Sequence, residues 1–402
     1  MVGTVSARAL AAMVLAMAVG LLAVPVAAAA PARPAAAGHS FRNDELQGVS
    51  CLAGHGCLAV GSRHSSSTST TKALAETRGS FGSSWTVHNP PGIGGAPIAA
   101  FGPIGNGETV SCVARPFTCL GIGSYNNKAG HQLNYAARWN GTAWKTVNPP
   151  DPKNTVSSGL DAISCRSASF CLVVGHWLRL VPPHDQLESL VWNGKKWTLK
   201  SVLPIPAKSS GARLWGLSCV SATWCMAVGS YSVGSAQPVL SEIWNGKKWT
   251  IHRPPTPRHL NGSALLGVSC LAKTFCNAVG SSITSTLLFR SLGETWNGTS
   301  WTIRPTPSGT QTIGSVLFDV KCHSRTSCLA VGDLAAAWNG TAWHSVHFPL
   351  PSGSPLANAV SLSCVSAKRC TAVGSYASGT STLTAAWNWN GASLTLQTTP
   401  SP

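Results

Sequence analysis

Leu214 to Pro255 reads LWGLSCVSATWCMAVGSYSVGSAQPVLSEIWNGKKWTIHRPP, and close copies of this stretch recur along the chain. Each copy runs V/I/L-S-C, about five residues, C-x-A-V-G, a variable segment, then W-N-G-x-x-W. Aligned on this pattern the sequence holds seven units, with first cysteines 42 to 61 residues apart. A period of that size with no helical pattern inside it predicts radially repeated β-sheets. Many Val, Ala, Leu, Ser and Thr and few charges agree with an all-β class.

The fourteen cysteines form seven near-neighbour pairs, and none is left over. They are Cys51/Cys57, Cys112/Cys119, Cys165/Cys171, Cys219/Cys225, Cys270/Cys276, Cys322/Cys328 and Cys364/Cys370. In an exported chain an even, evenly spaced set reads as a disulfide framework, and this pairing is the one that repeats with the units. Zinc is the competing reading, but the twelve scattered histidines do not supply the regular offsets it needs. Each bridge would staple two short strands across a turn and contribute roughly 2–3 kcal/mol.

Five units write W-N-G-x-x-W in full, and twelve of the sixteen tryptophans follow its register. Asn-Gly between apolar runs predicts a two-residue type I′ turn, in which Trp139 faces Thr142 and the two tryptophans are diagonal neighbours. The end units depart from the pattern: Arg78 stands in place of the first tryptophan of unit one, and Leu394 in place of the second in unit seven.

Each unit then reads as four antiparallel strands, a to d. Strand a ends at the first cysteine, strand b runs from the second through A-V-G, strand c ends at W-N-G and strand d begins at the second tryptophan. Alternating hairpins put the cysteine loops and W-N-G turns at one end of the units, and the b–c loops and d–a connections at the other. Blade length and the W-N-G-x-x-W hairpin resemble β-propeller repeats, loosely the kelch, Asp-box and WD types. The resemblance covers nearly all of the chain beyond residue 40 and implies a seven-bladed β-propeller of four-stranded antiparallel blades, one disulfide in each. It matches no named subfamily, so it carries no functional residue.

By this reading residues 1–29 form a signal peptide, with Arg8 before an apolar run that closes on Ala27–Ala30; a membrane anchor is the alternative. Residues 30–40 form a flexible leader, and 41–402 the propeller, with blades at about 46–98, 108–150, 160–206, 214–257, 265–307, 317–351 and 359–400. The expected product is a secreted, extracellular monomer that needs no cofactor or metal.

Formal charge is +17, from 29 Lys and Arg against 12 Asp and Glu, which points to anionic partners. The cysteine loops carry Arg115, Arg166, Lys273, Arg325, Lys368 and Arg369; the turns at the same end carry Lys195, Lys196, Lys247 and Lys248; and none of these segments holds a carboxylate. They form a candidate seat for an anionic polymer or polysaccharide of the cell envelope, or simply a solubilising rim. At the opposite end Tyr125, Trp177, Tyr231 and Tyr376 begin the b–c loops, where they suit sugar stacking or half-buried packing.

No nucleophile elbow, zinc-protease motif or phosphate loop occurs, so the reading is a secreted non-catalytic binding module. The alternatives are a polysaccharide hydrolase or lyase at the variable-loop end and an extracellular protein-interaction scaffold. Asp333 and Asp161 are the acids to watch for the enzymatic alternative, while Glu76, Glu242 and Glu294 are expected on the packing face between blades.

Overall fold

The computed structural model describes residues 42–65, 70–92, 98–101, 109–180, 183–200, 203–257, 260–308 and 315–400. The expected signal peptide and leader lie outside them. Every regular element described is a β-strand, and the strands form repeated four-stranded antiparallel sheets. The fourth unit is typical: Gly211–Ser221, Trp224–Ser232, Val239–Trp244 and Trp249–His252 pair in sequence order. In the second unit strand a comes as two pieces, Ile98–Phe101 and Val110–Ala114, both paired with strand b (Phe117–Asn126). The fourth to sixth units are separate sheets. Single parallel bridges join the others: Thr71 to Ile98, Gln132 to Ser157, and Thr382 of the last unit to Asn43 of the first.

All seven expected cysteine pairs are disulfides between directly opposed residues of strands a and b, with Cα–Cα distances of 3.9–4.0 Å, and no described cysteine is free. The second cysteine of every bridge is buried: Cys57, Cys119, Cys171, Cys225, Cys276, Cys328 and Cys370 are at most 9% exposed. The reason is the place of strand b, which has a strand on each side in its own sheet and packs against the neighbouring units. Cys119 and Cys171 thus share core clusters with Trp139 and Trp192, and Cys276 and Cys328 with Trp296 and Trp338. These sulfurs are core, and only the loops they close are available to a ligand. Seven such bridges suit an oxidising or extracellular compartment. No helix among the described residues is long and apolar enough to cross a membrane.

The A-V-G glycine answers a bulge. In six units strand a slips by one residue opposite it, as between Leu214 and Gly216. The bulge drives a carbonyl at strand b: a Cβ on Gly229 would stand 1.8 Å from the Arg213 oxygen, and one on Gly280 2.0 Å from that of Ala264. The extra residues of four units, Trp215, Leu266, Phe318 and Val360, meet in one buried apolar cluster, so the bulges converge on a common hub.

Strands a pack side by side from unit to unit, and that of the seventh lies against that of the first. The serine of V-S-C ties them. Its Oγ accepts the cysteine N–H of the next unit at 2.9–3.1 Å, from Ser50, Ser111, Ser164, Ser218 and Ser269 onward. Ser363 accepts in the same way from Cys51 of the first unit, at 2.9 Å. Lys321 interrupts the series in the sixth unit, where the buried Asp319 accepts from Leu362 N–H instead, at 2.8 Å.

The predicted two-residue turn is wrong. Trp139 pairs directly with Trp144, and Trp192, Trp244, Trp296 and Trp338 likewise with their partners, leaving four-residue loops. The reason lies in the asparagine side chain: Asn140 Oδ1 accepts from the N–H groups of both Thr142 and Ala143, which holds the wider loop closed. Only the glycine takes positive φ, 103° at Gly141. The paired rings tilt with centroids 5.2–5.6 Å apart. Each tryptophan of the pair bonds differently. Trp244 Nε1 donates to the Ala222 carbonyl of its own cysteine loop, whereas Trp249 Nε1 donates to Ser189 Oγ of the preceding unit.

Candidate functional site: a cation-bearing end

The turn chemistry decides what this end displays. Each W-N-G glycine lies against the cysteine loop of its own unit, as Gly246 does against Thr223 and Gly298 against Thr274. Both kinds of loop therefore share one end, and the ten cations expected there are all exposed. Two of them are held in place: Arg325 lies over the Phe275 ring and donates to Thr274 Oγ1 at 2.9 Å, and Arg369 lies over Phe81, 5.2 Å from its centroid. Among the described residues the acids lie elsewhere. Glu76, Glu188, Glu242, Glu294, Asp44, Asp161 and Asp319 are buried within or between sheets, and Asp151 and Asp185 lie toward the opposite end. Like charges thus face an outward rim with no carboxylate in its loops to cancel them, the arrangement that attracts polyanions.

The buried glutamates do sit on inter-unit faces. Glu242 shares its face with Leu240 and Trp244, which pack on the third unit, and its cross-strand partner is Ile251. Burial raises Glu242 well above the ordinary carboxylate range and pushes Glu294 up to about 8. Burial and the nearby Asp44 push Glu76 up to about 8.

At the opposite end the aromatics are scattered among the cores. Tyr125, Tyr231 and Tyr376 are half-buried against three different inter-unit clusters, and Trp177 is buried. Asp161 is the bulge residue of the third unit and holds His176 Nδ1 through both oxygens, at 2.9 and 3.1 Å. The Asp333 carboxylate accepts from Val316 N–H at 3.2 Å, and burial raises its pKa to about 7. These two acids belong to different units and serve different local bonds. No group of three potential metal ligands gathers among the described residues.

Sequence reasoning missed two features. Arg78 is buried, and its guanidinium reaches into the last unit, where Nη1 donates to Asn388 Oδ1 at 2.9 Å and Nη2 to Thr371 Oγ1. Its ring contacts are Trp85 and Phe81. The second feature is a cleft of ≈ 230 Å³ between the first two units, at the cation-bearing end. His55, Thr77, His88, Phe117 and Trp139 line it.

No family model matches the chain, and no curated protein matches it. Among solved structures, the β-propeller domain of the Trilobed protease from Pyrococcus furiosus, said to have an open velcro topology, aligns with TM-score 0.50 at 8% identity. The alignment covers 90% of this chain and 100% of that one. The fold is a β-propeller. YCF48 bound to a D1 peptide aligns with TM-score 0.47 and 12% identity over 86% of this chain and 96% of that one. A polysaccharide lyase, the PL25 ulvan lyase, aligns with TM-score 0.44 and 9% identity over 74% and 86%. At such identities the likeness concerns the fold alone, so for this propeller the site must be argued from its own residues.

Proposed function

We propose that the chain is an exported, closed seven-bladed propeller that binds an anionic polymer of the cell envelope at its cysteine-loop end, without catalysis. Closure is supported by the serine clip, the parallel bridge and the strand-a packing, each of which joins the last blade to the first as it joins interior neighbours. The strands of every blade are contiguous in sequence, so closure rests on contacts between blades and not on a strand that the last blade lends to the first.

One observation carries the binding role: exposed cations crowd an end that has no carboxylate in its loops. The densest arc spans the third to fifth blades, with Arg166, Lys195, Lys196, Lys247, Lys248 and Lys273. An array of this kind holds a polyanion by releasing its counterions, so affinity falls linearly in log–log coordinates as salt rises. The test is retention on immobilised heparin and on cell-wall polyanion. Wild-type protein should bind at low salt and elute as salt rises, and the K195E/K196E/K247E/K248E variant should pass through unretained. Retention that ignores both salt and the four charge reversals would overturn the proposal.

A further inference from the structure

The cleft between the first two blades has a specific origin. The residue before the second cysteine is Phe170, Trp224 or Phe275 in the third to fifth blades, and each packs into the junction with the following blade. In those junctions it shares a cluster with the next blade's first tryptophan, Trp244, Trp296 or Trp338. In the first blade the same position is Gly56. Its φ is +78°, and a Cβ there would stand 1.9 Å from the Arg78 carbonyl oxygen, so no side chain can fill the space. The backbone itself keeps this junction open, on the end that carries the cations.

The walls are flat rings with a few polar groups. Trp139, 5% exposed at the floor of the cleft, has the His88 ring tilted against it at 5.0 Å. His88 Nε2 hydrogen-bonds Thr77 Oγ1 at 2.7 Å. At the mouth the exposed His55 stacks on Phe117 at 4.8 Å with planes 12° apart. Arg115 stands two residues before Phe117 in the same loop, exposed. An apolar cavity of about 150 Å³ accepts a benzene ring, so the ≈ 230 Å³ present here suits one substituted six-membered ring. Aromatic faces with interspersed hydroxyl and imidazole groups match the apolar faces and hydroxyls of a sugar, and Arg115 matches an acidic substituent.

We infer that the cleft at Gly56 is the subsite that seats one pyranose ring of an acidic polysaccharide. This rests on the reading of the cysteine-loop end as a polyanion surface and adds to it a chemical class, a sugar backbone over a bare polyphosphate.

The test titrates the full disulfide-intact chain with a heparin-derived tetrasaccharide and with polyphosphate of matched charge, by calorimetry and tryptophan emission. His55→Ala removes an exposed ring, and Thr77→Val removes a hydroxyl at nearly constant shape. Each variant should lose about five- to ten-fold in tetrasaccharide affinity, the worth of one polar contact or ring face, with polyphosphate affinity unchanged and, for His55→Ala, the thermal midpoint unchanged too. Wild-type emission should shift with the tetrasaccharide and not with polyphosphate. Tetrasaccharide binding that is lost in K195E/K196E/K247E/K248E but indifferent to H55A and T77V would overturn the cleft and leave the polyanion surface standing. Equal losses for both probes would overturn the sugar assignment, and no binding of either probe at low salt would remove both readings.

Discussion

The junction between the fourth and fifth blades and the one between the seventh and first share a backbone device but differ in their side chains. Both use the serine clip, Ser218 to Cys270 at 3.0 Å and Ser363 to Cys51 at 2.9 Å. The interior junction is then filled by Trp224, Trp296 and Trp301 around Val268 and Leu292, with Trp301 Nε1 donating to Ser241 Oγ. The contact of the last unit with the first has Arg78 where a tryptophan is expected, bound to Asn388 and Thr371, and backs it with Arg369 over Phe81. The fourth and fifth blades meet through aromatic surfaces, whereas the last and first add to their apolar cluster around Trp85 a set of donors and acceptors that fit each other. The difference teaches how a repeat array can count: the terminal blades are built for each other, so an added interior copy would not substitute for either.

The largest effect on this comparison should come from the bridges. Replacing Cys219 and Cys225 together by Ser should cost about 2 kcal/mol, since the loop they close is short. The same change at Cys364 and Cys370 should cost as much, because that loop has the same separation of six. Full reduction should then unfold the chain at temperatures the oxidised form withstands, as followed by circular dichroism. Equal melting curves with and without reductant would show that the sheets stand without their staples.

A smaller effect follows from the carboxylates buried at both kinds of junction. Glu76 where the first unit meets the last and Glu294 at an interior junction hold a proton in the folded state up to about pH 8, against an ordinary value of 4.5. A folded pKa raised in this way adds stability that is fully present below 4.5 and is lost as pH rises through 8. The thermal midpoint should therefore fall between pH 5 and pH 8, and Glu76→Gln or Glu294→Gln should each flatten that slope. A midpoint that climbs over the same range would contradict the burial of these groups as neutral acids.

How much of this was legible in the sequence depended on whether one residue type could mean one thing. The cysteine pairs, the four-stranded units and the common end of the two loops could be read because each repeats with fixed spacing. That the second cysteines, such as Cys119 and Cys328, belong to the core could not, because it depends on the blade packed against strand b. The W-N-G turn misled because Asn-Gly serves two loop lengths, and the longer one is selected by the Asn140 side chain capturing two N–H groups. The serine clip was visible as a residue recurring before the first cysteine, with Lys321 its exception, but its meaning needed the neighbouring blade. Arg78 looked like decay of the motif, and only its partners in the last blade show a clasp. Gly56 carried a weaker signal, since the position before the second cysteine is aromatic only at Phe170, Trp224 and Phe275 and is Thr118, Ser327 and Arg369 in the other units. The order of charges along the chain located the cations, whereas the scattering of the aromatics at the opposite end depends on how each blade packs.

Closure of the ring is tested most directly by a double-mutant cycle on Arg78 and Asn388, 310 residues apart in sequence. Arg78→Met, Asn388→Ala and their combination would be compared by equilibrium denaturation. A hydrogen bond to a charged, buried guanidinium predicts a coupling of about 1–3 kcal/mol. Additive effects, with coupling under about 0.5 kcal/mol, would mean that the first and last blades do not meet.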